Sequence, residues 1–157
     1  MKRVVTAALL LAVVVSLPAL AAMKTSADVV SAKPTTAAVS AAAGERVSFQ
    51  IKLDIQKKWH IYAHGDTNFI GVDLMPGEGF PLQEFEAEYP HGHEGEFFGE
   101  KVMMIEGKDV IDFTALVPAE LAPGEHDLDF AVTVQACDDK TCLAPTDLPV
   151  KFKLTVK

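Results

Sequence analysis

The feature that most constrains the fold is an alternation of apolar and polar residues with a period of two. Apolar side chains occupy every second position from Val47 to Ile55, and polar residues fill the positions between them. The same alternation recurs over residues 111–117, 128–134 and 150–156. Because successive side chains of a strand point to opposite faces, each segment is predicted to be a β-strand with one apolar face. Four such faces must be buried against one another.

Shorter apolar pieces complete the pattern, and turn-forming Pro and Gly separate them. They lie at residues 59–62, 72–75, 83–88 and 101–105. The sequence has no long helical stripe. Seven to nine short strands over one domain predict an all-β fold, an immunoglobulin-like antiparallel β-sandwich. A small closed barrel is the alternative, since strand patterning does not distinguish the two.

Residues 1–21 are predicted to be a secretory signal peptide. Lys2 and Arg3 precede an apolar stretch, and Ala19-Leu20-Ala21 forms a small-residue cleavage site. The stretch is shorter than the roughly 20 residues that cross a bilayer, so no membrane span is expected after cleavage. An uncleaved membrane anchor is the alternative. We therefore expect a periplasmic protein.

The remaining chain divides into two parts by composition. Residues 22–44 are rich in Ala, Ser, Thr and Val, with no aromatic residue and no regular apolar period. We interpret them as a tether, with a short edge strand at residues 28–30 as the alternative. Residues 45–157 are predicted to form the folded domain.

The charge of the chain argues against nucleic acid as a partner. There are 14 Lys and Arg against 22 Asp and Glu, for a formal net charge of −8. Phosphate binding needs clustered cations, and no basic run follows residue 3. Hydrolase triads, phosphate-binding glycine loops and nucleotide fingerprints are also missing from the sequence.

The two cysteines, Cys137 and Cys142, flank four turn-forming residues, Asp-Asp-Lys-Thr. A hairpin-like loop there would bring the Cα atoms within the roughly 4.4–6.8 Å that a disulfide requires. Export favours disulfide formation. Two interpretations stay open: a permanent bridge that stabilises the fold by about 2 kcal/mol, or a redox pair that cycles between dithiol and disulfide.

Three landmarks, in this order, resemble a known family. They are Trp59-His60-Ile61-Tyr62, then Tyr89-Pro90-x-Gly92 leading into Glu96-Phe97-Phe98-Gly99, and finally Gln135-Ala136-Cys137-x4-Cys142-Leu143-x-Pro145. The sequence resembles the N-terminal periplasmic domain of the thiol:disulfide interchange protein DsbD, a domain also found in stand-alone secreted disulfide bond correctors. The likeness covers most of residues 45–157.

The resemblance implies a role for each matching residue. Cys142 would form the mixed disulfide with a partner, and Cys137 would be the more buried resolving cysteine. Phe97 would shield the disulfide within a cap loop, Glu96-Phe97-Phe98-Gly99, and Tyr62 would support the cysteines. The family motif has an acidic residue where this chain has Gly95, so any proton-handling role there passes to Glu96 or is lost. Without the resemblance, Phe97, Phe98 and Tyr62 are equally well explained as core aromatics.

The resemblance also implies an activity and partners. The protein would be a thiol:disulfide oxidoreductase that relays electrons without a cofactor, and we expect it to be a monomer. Its electron donor would be a thioredoxin-like or DsbD/CcdA-like membrane protein, and its clients envelope disulfide proteins. Acidic residues near the thiols, Asp138, Asp139 and Glu96, would raise the thiol pKa and slow reaction with small thiols.

Two rival functions remain at this point. His60, His64, His91 and His93, with Met103 and Met104 nearby, offer the ligand types of a periplasmic copper or zinc protein. A passive interaction domain whose disulfide is only structural is the other rival.

Overall fold

The structure is a computed structural model that describes residues 23–157, so the predicted signal peptide at residues 1–21 lies outside the described residues. Between residues 23 and 157 no helix has the length and apolar character to cross a membrane. A 3-10 turn at Ser26–Asp28 precedes eleven strands. They are β1 (Val30–Pro34), β2 (Ala38–Ala41), β3 (Arg46–Ile55), β4 (His60–Tyr62), β5 (Asp73–Pro76), β6 (Gln83–Glu88), β7 (His93–Phe97), β8 (Glu100–Glu106), β9 (Lys108–Leu116), β10 (Gly124–Val134) and β11 (Thr146–Val156).

Two four-stranded sheets form the sandwich. One has the strand order β1-β3-β9-β6 and the other the order β2-β11-β10-β5. Neighbouring strands run antiparallel, except that β2 pairs in parallel with β11. The predicted immunoglobulin-like β-sandwich is therefore confirmed, with one parallel pair at an edge.

The core lies between the apolar faces of the four long strands. Burial alternates strictly along β3, from Val47 to Ile55, as the sequence pattern predicts. Four phenylalanines join the sheets, because Phe49 and Phe113 stack with centroids 4.8 Å apart and both contact rings of the opposite sheet. Burying each of these rings contributes about 1.5–3 kcal/mol. The strands that contribute them are β3, β9, β10 and β11.

A third, smaller sheet has the order β4-β8-β7 and lies beside the sandwich. The sequence predicted β4 and β8, but it gave no strand between residues 88 and 101, and β7 was missed. Gly95 lies in β7 against the Met104 side chain, because a Cβ there would come within 2.7 Å of Met104 Sδ. A larger residue at that position would require the flexible Met104 side chain to shift.

Residues 22–44 differ from the expected tether. Within this segment β1 pairs with β3 and β2 pairs with β11, and Val29, Val30 and Ala41 are buried in the core. The short side chains give no clear apolar period, and pairing with sheet edges that already exist specifies these strands instead. The tether interpretation is therefore corrected for the described part of the segment, and the packed domain begins well before residue 45.

Ser26 fastens this N-terminal segment to the other end of the chain. Its side chain is fully buried. Its Oγ donates a hydrogen bond to the carbonyl oxygen of Ala144 at 2.8 Å and accepts one from the backbone N–H of Ala136 at 2.9 Å. Both partners lie in the segment between β10 and β11.

We predict that Ser26→Ala lowers the free energy of unfolding by about 1–3 kcal/mol, because it leaves the buried N–H of Ala136 without a partner. The carbonyl of Ala144 still accepts a hydrogen bond from the backbone N–H of residue 26, at 3.0 Å in the wild type. Urea unfolding of the mature protein measures the change. The control is Ser31→Ala, whose side chain is exposed on β1, and it should stay within about 0.5 kcal/mol of the wild type. Equal stability of the two variants would show that the segment behaves as a tether.

Candidate functional site

The cysteine pair lies in the loop between β10 and β11. Cys137 and Cys142 form a disulfide, with Cα atoms 4.0 Å apart. The backbone N–H of Leu143 donates to the carbonyl of Ala136 at 2.8 Å, and that of Asp138 donates to Thr141 at 2.9 Å. The loop thus folds back as the hairpin that the four-residue spacing predicted.

Asp138 closes the turn of this loop. Its Oδ1 accepts hydrogen bonds from the backbone N–H groups of Lys140 and Thr141, each at 2.9 Å. These two bonds hold the pKa of the Asp138 carboxyl below its usual value. A carboxylate engaged by its own backbone in this way shapes the loop and stays ionised.

The two sulfurs differ in their access to solvent. Cys137 is fully buried, whereas Cys142 is half-buried. The backbone of Cys137 exchanges two hydrogen bonds with that of His60, at 3.0 and 2.9 Å. This pairing attaches β4, and through it the third sheet, directly to the cysteine loop.

The disulfide belongs to a small apolar cluster that is distinct from the main core. We call it the aromatic cluster. The rings of Tyr62 and Phe97 are 6.2 Å apart, and the half-buried Phe69 stacks on Tyr62 at 4.5 Å. Its members are Tyr62, Phe97, Val102, Met104 and Cys137, with Phe69 and Cys142 partly buried against them.

The residues predicted to form the cap belong to the hairpin of β7 and β8. Phe98 and Gly99 form its two-residue turn, both with positive φ, at 51° and 84°, which is the geometry of a type I′ turn. Phe97 is 4% exposed and Phe98 is 74% exposed. The structure therefore brings Phe97 to the disulfide together with Tyr62, whereas Glu96, Phe98 and Gly99 face solvent.

Phe69 is a member of the aromatic cluster that the sequence analysis missed. Asp66 Oδ1 accepts hydrogen bonds from the backbone N–H groups of Asn68 and Phe69, both at 2.9 Å. This turn directs the ring of Phe69 onto Tyr62 and to within 5.3 Å of Phe97. The available signal was an Asp three residues before an aromatic residue, which predicts a turn but not the direction of the ring.

His60 is the polar residue buried at this site. Its Nε2 lies 3.3 Å from the Tyr62 hydroxyl, and its ring meets that of Phe97 edge-on at 5.6 Å. Burial lowers the pKa of His60 below its usual value, although Glu106, Asp138 and Asp139 act to raise it. Burial, with a smaller contribution from Asp66, raises the pKa of Tyr62 to about 12.

The histidines considered as metal ligands do not converge on one point. His64 stacks on Tyr89 with centroids 3.9 Å apart, and its Nδ1 lies 3.0 Å from the carbonyl of Val72. His93 lies 3.6 Å from Glu106. Across residues 23–157 no three His, Cys, Asp or Glu side chains are placed to hold a metal ion. The metal interpretation therefore gains no support.

Together these observations describe an immunoglobulin-like domain with a loop disulfide, one sulfur of which is buried beneath aromatic side chains. The model of the family Thiol:disulfide interchange protein DsbD, N-terminal, matches residues 26–153. The chain belongs to this family, which confirms the resemblance seen in the sequence and supports thiol:disulfide interchange as the activity at the level of the family.

One solved structure shares the fold of this chain. The N-terminal periplasmic domain of ScsB from Proteus mirabilis matches with a TM-score of 0.56 at 10% sequence identity, over 72% of this chain and 42% of that one. This chain thus spans less than half of that structure. A structure of aggregative adherence fimbriae of enteroaggregative Escherichia coli matches with a TM-score of 0.39 at 13% identity, over 82% of this chain and 99% of that one. Among curated proteins, no match to the chain is found.

We predict that both tyrosines of the folded protein ionise near pH 12. The chain has two tyrosines, and burial raises the pKa of each, Tyr62 and Tyr89, to about 12. An unfolded tyrosine ionises near pH 10. The contribution of the protonated phenols to the free energy of unfolding is therefore fully present below about pH 10, and it is lost as the pH rises from about 10 through about 12.

Ultraviolet absorbance of tyrosinate during an alkaline titration measures the two ionisations. In the variant Tyr62→Phe one ionisation remains, and it belongs to Tyr89. A midpoint near 10 for Tyr62 in protein that remains folded would contradict the burial of this hydroxyl beside the disulfide.

Proposed function

We propose that this protein carries out periplasmic thiol:disulfide interchange through Cys137 and Cys142. It accepts reducing equivalents from a membrane-associated donor and passes them to disulfide proteins of the cell envelope. Membership of the DsbD N-terminal family supports interchange. The observation that carries the proposal is the asymmetry of the pair, with a buried Cys137 and a half-buried Cys142 inside a cluster separate from the main core.

This asymmetry favours one order of reaction. A thiolate of the donor attacks Sγ of Cys142, the internal disulfide breaks, and Cys137 leaves as a thiolate that takes up a proton. A second donor thiolate then attacks the mixed disulfide and releases the Cys142 thiolate. Two electrons have passed to the pair, and the donor is left as a disulfide. The reduced pair gives the same two electrons to a client disulfide by the reverse sequence.

We assign the cap to the β7–β8 hairpin, with Glu96, Phe97, Phe98 and Gly99 as its tip. Phe97 is the element of the cap that contacts the aromatic cluster. Phe98 presents a large apolar ring to solvent at the turn, where a docking partner would meet it first. Displacement of this hairpin by a partner would uncover the half-buried Cys142, so exchange would depend on docking.

The location and partners follow from the proposed activity. The ScsB domain with the same fold is periplasmic by its description, and the predicted signal peptide at residues 1–21 supports the same compartment. We propose a thioredoxin-like or DsbD/CcdA-like membrane protein as the donor, because the sandwich provides one dithiol and needs a separate source of electrons.

We predict that the reduction potential of the Cys137–Cys142 pair lies between about −180 and −270 mV, the range of exchangeable protein disulfides. The mature protein is equilibrated in glutathione and dithiothreitol buffers and acid-quenched, and its alkylated thiols are counted by mass spectrometry. A potential below about −300 mV would identify a structural disulfide. The protein would then be a passive interaction domain.

We predict that Phe97→Ala accelerates reduction of the disulfide by dithiothreitol by at least about tenfold. Loss of about 1.4 kcal/mol of packing around the sulfurs corresponds to a factor of ten in rate, and removing a buried Phe ring exceeds that amount. The rate is followed by alkylation and mass spectrometry under conditions where the variant remains folded.

Phe98→Ala is the matched control for this prediction. It removes a phenyl ring of the same size from the neighbouring residue, which is exposed. The disulfide of this variant should react with dithiothreitol at the wild-type rate. Similar acceleration in both variants would mean that the hairpin as a whole is loosened, and unchanged rates in both would remove Phe97 from the cap.

A further inference from the structure

We propose that His60 is the general base that takes the proton from the Cys137 thiol when the mixed disulfide on Cys142 is resolved. This inference rests on the proposed function and adds a residue to it. It starts from the pairing of His60 with Cys137, from the burial of both residues, and from the chemistry that a buried thiol requires.

The backbone pairing places the two side chains next to each other. His60 and Cys137 exchange both of their backbone hydrogen bonds in an antiparallel bridge. Residues directly opposite each other in such a bridge project their side chains to the same side, with Cβ atoms roughly 5 Å apart. The imidazole of His60 is thus held beside the Cys137 side chain by the backbone itself.

The alternation of side chains along β4 shows which face of the strand carries the His60 imidazole. Ile61 points into the main core, and Tyr62 points into the aromatic cluster that contains Cys137. His60 shares the face of Tyr62, as their hydrogen bond at 3.3 Å shows. The imidazole, the phenol and the buried sulfur therefore occupy the same face of β4.

A buried Cys137 needs a proton acceptor in order to react. The thiolate is the attacking form of a cysteine, and burial in an apolar cluster disfavours it. The reverse step, departure of Cys137 from the disulfide, produces a thiolate in the same apolar surroundings. A neighbouring base that takes the proton in one direction and returns it in the other removes this barrier in both.

The other ionisable groups around the site are poorly suited to this role. Burial raises the pKa of Tyr62 to about 12, so its hydroxyl stays protonated at pH 7 and is not a base. Asp138 and Asp139 on the cysteine loop, Glu106 on β8 and His93 on β7 face His60. Asp138 is bound to its own backbone, and Asp139, Glu106 and His93 are exposed. Among these groups, His60 is the buried one that can accept a proton at pH 7.

The protonation state of His60 also suits a base. Burial outweighs the three carboxylates and keeps its pKa below the usual value, so the ring is neutral at pH 7. The tautomer that carries its proton on Nε2 donates to the Tyr62 hydroxyl oxygen and leaves the lone pair of Nδ1 free. Tyr62 thereby acts as a positioning residue for the imidazole.

In the proposed step, electrons and protons move between the cysteine pair, the client disulfide and His60. The Cys142 thiolate attacks a client disulfide, forms the mixed disulfide and releases one client thiolate. His60 takes the proton from the Cys137 thiol, and the resulting thiolate attacks Sγ of Cys142. The internal disulfide forms, and the second client thiolate leaves and is protonated by the His60 imidazolium. Two electrons have moved from the cysteine pair to the client, and His60 is neutral again.

The test uses Ellman's reagent, a small aromatic disulfide, as the probe. Reduced protein reacts at Cys142 and releases one thionitrobenzoate, and attack by Cys137 then releases the second. Stopped-flow absorbance gives the rate of this closure as a function of pH. The variants are His60→Gln, which keeps a polar group for Tyr62, and His126→Gln, which changes a histidine at the start of β10. Cys137→Ala, which stops after the first release, identifies the two phases.

We expect His60→Gln to slow closure at pH 7 by about 100-fold, the lower range for a positioned general base. The difference in closure rate between the wild type and His60→Gln should become smaller as the pH rises above about 8.5, where a cysteine ionises without a general base. Closure in the wild type should fall at low pH with a break below about 6.5, as His60 becomes protonated. His126→Gln should match the wild type at every pH.

Two results would overturn the proposal. One is closure in His60→Gln at the wild-type rate, and the other is a deficit that stays constant with pH, as altered packing would produce. If His60→Gln does not fold, the pH dependence of the closure rate in the wild type tests the proposal instead. A rate that keeps falling tenfold per pH unit through the whole acidic range, without the histidine break, refutes a role for His60.

The result of the closure experiment can be distinguished from a failure of the proposed interchange function. Closure is measured with a small disulfide and does not depend on a donor or on the potential of the pair. A pH-dependent effect of His60→Gln together with a reduction potential below about −300 mV would contradict the proposed interchange function but support His60 as the general base. A potential in the exchange range together with closure that is unaffected by His60→Gln would support interchange but contradict the role of His60.

Discussion

The pairing of β10 with β11 is the constraint on which the site depends. These strands are in register over eleven residues, from Gly124 opposite Val156 to Val134 opposite Thr146. Their apolar faces are buried in the main core, so both ends of the cysteine loop are held by the most extensive pairing in the sandwich. The loop itself is closed by Asp138 and the disulfide. The position of the sulfurs is therefore set by the sandwich, and variation in access to them must come from what covers them.

The parts of the structure that the sequence predicts best are those where burial is one-sided. The long strands alternate because one face must be apolar, and their order along the chain then suggests a sandwich. β1 and β2 escaped prediction because small residues pair with edges through the backbone, which leaves no periodic signal. β7 escaped prediction because His93–Phe97 includes a glycine and has a single buried residue, which leaves no alternation of apolar and polar side chains. At the site, the cysteine hairpin and Tyr62 could be anticipated from spacing and resemblance. The stacking of Phe69 and the pairing of His60 with Cys137 could not, because they arise from contacts between distant segments.

The electrostatics of the site separate its surface from its interior. Asp138, Asp139 and Glu96 give the loop and the cap an acidic exterior, which disfavours a thiolate at the surface. Inside, the aromatic cluster excludes water and leaves His60 neutral. A thiol in such a place is unreactive unless the cover moves or a base is beside it. An acidic exterior over an apolar interior therefore suits a pair that reacts with selected protein partners rather than with small thiols.

The division of the interior into two clusters explains how a cover can open without loss of the fold. β4 alternates between them, with Ile61 in the main core and Tyr62 in the aromatic cluster. Because β4 is held from one side by the sandwich, displacement of Phe97 in the proposed cap would expose the aromatic cluster and leave the main core packed. Regions with few buried contacts open at a lower free energy than the global unfolding of a domain. Ile105 of β8 belongs to the main core, but β7 has Phe97 as its one buried residue, and the turn at Phe98 faces solvent. The tip of the hairpin is therefore the part that fits this description. In the proposed cap, the cover thus belongs to the small sheet, whereas the sulfurs lie in the loop between two strands of a large sheet, so that access to the disulfide and stability of the fold are set by different residues.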